Sequence, residues 1–287
     1  MNSFLNHTSA WWTRYSDYEW RKAPDGQLYL LPAEGAIPQP YNMLADPQKL
    51  LLDAVTVGQL CMKETSNHKK QMEAIHGFTC QYGLMGIMTA LPTTAKFVEY
   101  KQVYLPKNDF IRDEVMDTIP YMRHFFPFRM PEFSKNGYDS LWNISDRTMM
   151  ALAMTFRDVP QAMSMSFMKD YGERYDWLEA VFRSFAFGLT ASFLYELDKD
   201  RADPQTIRLY NMGLAGFDDN APSYHLTLQG KPQIVWDFHS LLLCVKLLFS
   251  MTLTDDEHPL KMCRKCRKPF VASNAGALKC TECEEQR

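Results

Sequence analysis

The sequence predicts a mainly α-helical body with small β-hairpin elements, closed by a C-terminal four-cysteine zinc finger. Three observations predict this. Apolar residues recur at helical spacing in long runs between residues 46 and 251. Period-two alternation is confined to two short stretches. The last 27 residues hold four of the seven cysteines, in two Cys-x-x-Cys pairs. The division that follows is a body over 1–255 and a finger over 256–287.

A hydrophobic content of 46% and an aromatic content of 13% fit a folded chain rather than a disordered one, and 287 residues can bury a substantial core. The net charge of −3 argues against nonspecific wrapping of nucleic acid by a globally basic surface. No charged start followed by an apolar run opens the chain, so no signal peptide is expected. The most apolar stretch, Leu241 to Met251, contains Lys246 and falls short of the roughly 20 residues a membrane span needs. Cys61, Cys80 and Cys244 lie in apolar periodic segments and read as buried free thiols, which makes the cytoplasm the expected compartment.

Residues 1–45 are rich in aromatics and turns. Asp25-Gly26 between Glu19–Lys22 and Leu28–Leu31 signals a hairpin. Trp11, Trp12, Tyr15, Tyr18 and Trp20 suit packing on the body better than a base-stacking surface. Pro32, Pro38 and Pro40 suggest an irregular connection. Asp46-Pro47 is a helix start, a capping carboxylate before proline, with Leu50, Ala54, Val57 and Cys61 on one face. After a polar break at Ser66–Lys70, Ile75, Phe78, Tyr82 and Met85 share a second stripe, ended by Pro92. Tyr121 to Arg129 interleaves aromatic and basic residues among prolines, and reads as a packed connector rather than a nucleic-acid surface. Helical periodicity resumes from Asp146 to Met168, with methionines as core filler. The longest helix is expected over about Tyr175 to Leu197, carrying Leu178, Val181, Phe182, Phe185, Leu189 and Phe193. Asp203-Pro204 starts a shorter one. Tyr224–Leu228 and Ile234–Trp236 flank a turn at Gly230, a second hairpin, and an amphipathic helix from Phe238 to Phe249 leads to the finger.

The chemistry lies in Cys263, Cys266, Cys280 and Cys283. Each Cys-x-x-Cys pair can turn both sulfurs to one point, and two pairs complete the tetrahedral thiolate site that Zn2+ prefers. Thirteen residues between the pairs suit a hairpin or a short loop. One structural zinc is therefore expected. The segment from Lys261 has seven basic and three acidic side chains, against 24 basic and 31 acidic in the rest. Arg264, Lys265, Arg267 and Lys268 are the candidate nucleic-acid contacts. Four thiolates on one zinc ion carry −2, so part of that basic set also neutralises the site. Glu73-x-x-His76 has the spacing of half a di-iron site but has no second copy, and His76 reads as a hydrogen-bonded histidine at the core edge. No nucleotide-binding glycine motif, nucleophile elbow or His-Glu-x-x-His is present, which leaves no reaction to name.

Cys263-Arg-Lys-Cys266-Arg-Lys268-Pro-Phe270 followed by a second Cys-x-x-Cys pair resembles the treble-clef or ribbon-type fingers that close mostly helical, poorly characterised bacterial proteins. The CGNR-type fingers of predicted transcription regulators are the nearest named pattern. The resemblance covers about the last 50 residues, and Glu284-Glu285-Gln286-Arg287 stands where those fingers carry Gly-Asn-Arg. It implies a zinc-finger protein of bacterial type, with a regulatory or nucleic-acid-associated role. The alternative from the short link and weak tail charge is a protein-interaction or scaffolding factor, its finger docked on its own body or a partner.

Overall fold

The computed structural model describes residues 8–63, 67–91, 100–105, 109–131, 166–217 and 222–285. Strand takes 21% and helix 43%, spread over several small sheets, so the expectation of a mainly α body is corrected to a mixed α and β architecture. The reason is local. Several strands are two to five residues long, too short to show a period of two over their neighbours' turn residues.

The N-terminal segment is where most of this strand content was hidden. β1 (Thr8–Ser9), β2 (Trp11–Tyr15), β3 (Tyr18–Lys22), β4 (Leu28–Pro32) and β5 (Pro38–Asn42) follow in order. The hairpin around Asp25-Gly26 forms as expected, with Lys22 opposite Leu28. The irregular connection expected at Pro38 and Pro40 is instead β5, antiparallel to β2 with Pro40 opposite Thr13. Proline fits there because Met43 N–H donates to Ala10 O at 2.8 Å, so the odd positions face β2 and Pro38 and Pro40 face away from it. Trp12, Tyr15 and Tyr18 are buried, which is the packing role expected of that aromatic set; Trp11 is exposed.

α1 (Pro47–Lys63) is capped by Asp46, whose carboxylate accepts the Lys49 N–H at 3.0 Å. Its buried stripe is Leu50, Leu51, Ala54, Val55, Gly58 and Cys61; Val57 lies at the margin. Gly58 is where α1 crosses α5 (Tyr175–Asp198): a Cβ there would lie 2.0 Å from the Phe182 carbonyl oxygen. Only glycine permits that approach. α2 (His68–Tyr82) is capped by Asn67 and ends at Gly83, earlier than Pro92, so Met85 lies in a loop rather than on the helical stripe. α3 (Ile87–Ala90) follows.

Between α2 and α3 the chain turns through Gly83 (φ 87°) and Gly86 (φ 72°) around a buried carboxylate. Glu173 is fully buried and accepts the N–H of Met85 at 2.8 Å, the N–H of Ile87 at 2.7 Å and the Tyr171 hydroxyl at 2.6 Å. Burial raises its carboxyl above the ordinary range, and these donors pull it back only in part. Trp12 closes the loop from the other side, its indole N–H donating to Leu84 O at 3.0 Å.

β6 (Gln102–Tyr104) and β7 (Val115–Asp117) pair antiparallel, and α4 (Thr118–Arg123) follows. Tyr121, Phe125 and Phe126 are buried in the core, while His124 and Phe128 are half-buried, the Phe128 ring edge-on to Tyr29. The helix expected over Asp146–Met168 lies, up to residue 165, outside the described residues. β8 (Glu173–Arg174) joins β4 and leads directly into α5. α6 (Pro204–Met212) is capped by Asp203 as expected. β9 (Ser223–Gln229) and β10 (Lys231–Asp237) form the second hairpin, with β1 parallel to β10 on its far edge. α7 (Leu241–Leu253) is buried along most of its length and packs among α1, α5 and the loop before α3. No described helix is long and apolar enough to cross a membrane.

Candidate metal centre

Residues after α7 form a small hairpin, β11 (Leu260–Met262) with β12 (Pro269–Val271), Lys261 lying opposite Phe270. Its turn is a Cys-x-x-Cys knuckle. Cys263 N–H donates to Lys268 O at 2.9 Å, and Arg267 N–H returns to Cys263 O at 2.9 Å. Arg267 follows the second cysteine with φ 62°, the left-handed conformation that closes the turn. The second pair sits at the start of α8 (Thr281–Glu285), where the N–H of Cys283 bonds Cys280 O at 2.9 Å. Arg264 N–H to Leu278 O at 2.9 Å ties the knuckle to the loop that brings this pair over.

The four cysteines assemble as their spacing required. The Sγ atoms of Cys263, Cys266, Cys280 and Cys283 lie within 4.8 Å of one another. Cys266 and Cys280 sulfurs are 3.7 Å apart, against roughly 3.8 Å for the edge of a tetrahedron with metal–sulfur bonds of about 2.3 Å. All seven cysteines are free thiols. Three of the four are buried, with Phe270 packed beside them. Burial raises the Cys263 thiol, but N–H groups of Cys266, Cys280 and Lys265 turned toward its sulfur outweigh this and lower it to about 6. Cys283 moves the other way, pushed up to about 12 by burial and then by the crowding of the other thiols. Cys263 thus ionises readily while burial makes Cys280 and Cys283 resist ionisation. A divalent metal ion is the group that would relieve all four, and the donor set fits one.

The finger does not hang free. Leu260 and Met262 are buried as members of the body's own core, with Val271 packed against it. Lys261 forms an ion pair with Glu196 of α5 at 3.0 Å and donates to Ala275 O at 2.6 Å. The Arg267 guanidinium lies over the Phe193 ring of α5, 4.8 Å from its centroid. Gln59 of α1 donates to Arg267 O at 2.9 Å.

The four candidate nucleic-acid contacts therefore divide. Arg267 faces the body. Lys268 pairs with Glu282 at 3.4 Å. All four side chains are nonetheless exposed. Phe193, Glu196 and Gln59 were not legible as finger contacts: Phe193 looked like one more core position of α5, and the other two like solvated helix surface. The one available signal was a bulky residue after the second knuckle cysteine, where a free turn favours glycine. His258 bonds Ala272 O at 3.3 Å and stays apart from the sulfurs.

No known protein family, curated protein or solved structure matches this chain.

Proposed function

We propose that the protein is an interaction or scaffolding factor whose four-cysteine finger, filled by one structural Zn2+, is clamped onto its own body. Zinc is the metal of choice because four thiolates in a closed tetrahedron leave no position for water or substrate. The observation that carries the reading is Arg267: its left-handed backbone turns the knuckle so that its guanidinium stacks on Phe193 and its carbonyl accepts from Gln59. Both contacts tie the knuckle to the body, while the Arg267 side chain stays exposed. The thiol state of Cys61, Cys80 and Cys244 fits a reducing compartment, and we place the protein in the cytoplasm.

A regulatory, nucleic-acid-associated role in the manner of the bacterial fingers is the second reading. It is favoured by the exposure of Arg264 and Lys265 and by the basic excess of the tail. The two readings separate in one assay. Zinc-loaded protein is titrated with pooled DNA and RNA at low and moderate salt. The clamp reading predicts no binding that falls steeply with salt. A steep salt slope that Arg264→Gln/Lys265→Gln flattens would establish phosphate contact and overturn it.

A further inference from the structure

A second group of metal-ligating side chains lies away from the finger, at the turn between β2 and β3. Asp17 of that turn, and His76 and Cys80 of α2, bring one ligand atom each to within 4.8 Å of the others. His76 and Cys80 are four residues apart on the helix and so share a face. His76 Nε2 donates to the Tyr18 carbonyl at 2.7 Å, which fixes the tautomer and leaves the Nδ1 lone pair available. Cys80 Sγ lies 3.6 Å from that nitrogen and 3.8 Å from Nε2, so it sits beside the ring, and a side-chain rotation must turn it toward the Nδ1 lone pair for the two to share an ion. An imidazole that donates its other ring N–H to a backbone carbonyl is how metal-bound histidines are held. Asp17 is oriented too, its Oδ1 accepting the Tyr18 N–H at 2.9 Å.

We propose that Asp17, His76 and Cys80 form a second metal site, taking a divalent transition-metal ion of the zinc class. Nitrogen, sulfur and carboxylate donors together select such an ion over Mg2+ or Ca2+. Asp17 is exposed and the other two are half-buried, so the fourth position is open to water, unlike the closed finger. Bound metal would pin the β2–β3 turn, and with it the N-terminal strands, to α2. The same three residue types could instead make a thiol nucleophile with a histidine base. That reading fails on two counts: the second ring nitrogen faces Tyr18 O rather than Asp17, and burial and the Asp17 charge raise the Cys80 thiol rather than activate it.

The test is metal content of the full chain, reconstituted with Zn2+ or Co2+, and it does not depend on what the finger contacts. Wild type is expected to hold two equivalents. Cys280→Ser/Cys283→Ser should keep one, whose Co2+ spectrum shows a single thiolate. Cys80→Ser should keep only the four-thiolate equivalent. Asp17→Asn, a surface change that leaves folding intact, should weaken the second site by at least about tenfold. A wild-type count of one that vanishes with the finger variant overturns the proposal. So does a second equivalent that neither Cys80→Ser nor Asp17→Asn affects.

Discussion

Cys263→Ser is expected to remove the metal and to lower the thermal midpoint of the whole chain, not of the tail alone. Zinc binding supplies about 10–16 kcal/mol to finger-sized peptides, and here the finger's first strand is shared with the body core. Leu260 and Met262 are buried in that core, and each is worth about 2 kcal/mol of apolar burial. Losing the knuckle frees β11 to fray and uncouples Lys261 from Glu196 and Arg267 from Phe193. A body stability loss of about 3 kcal/mol follows, within the about 5–15 kcal/mol of a typical fold. Helix content at room temperature should survive while the melting midpoint falls by roughly 6–12 °C. Circular dichroism melts read this directly. A midpoint unchanged after confirmed metal loss would show that the finger folds beside the body without supporting it.

Glu173→Ala should destabilise by about 3 kcal/mol or more, read from urea midpoints. The mutation leaves the Met85 and Ile87 N–H groups and the Tyr171 hydroxyl buried without their acceptor. The loop they hold cannot relax easily, because a displaced Gly86 meets Trp12 and Ser240: even a Cβ there would lie 2.6 Å from the Trp12 ring. Glu173→Gln keeps the shape but presents an amide NH2 to one of the donors, so its cost should fall between Ala and wild type. A loss below about 1 kcal/mol for Glu173→Ala, the scale of one ordinary hydrogen bond, would mean water replaces the carboxylate.

The difference between these two sites also explains what could be read in advance. The cysteine quartet is legible because metal geometry dictates its spacing, and the helices because Leu50, Ala54 and Cys61 or Ile75, Phe78 and Tyr82 repeat at the helical period. The hairpins around Gly26 and Gly230 are legible through their turns. Glu173 carries no such mark: a lone glutamate before a helix looks like solvated surface, and its role depends on a loop about 90 residues earlier in the sequence. β5 was hidden by its prolines, which forbid a central strand but not this edge. β6, β7 and β8 are three or two residues long, set by their partners rather than by their own pattern. The finger's docking rests on Phe193 and Gln59, which read as an ordinary core position and ordinary helix surface until the chain is folded.

The most direct test of the docked finger is hydrogen exchange on the zinc-loaded and chelator-treated protein. Clamping predicts that metal removal deprotects β11 and β12, and also α5 around Phe193 and Glu196 and the C-terminal part of α1 near Gln59. Faster exchange confined to residues 256–287, with α1 and α5 unchanged, would contradict it.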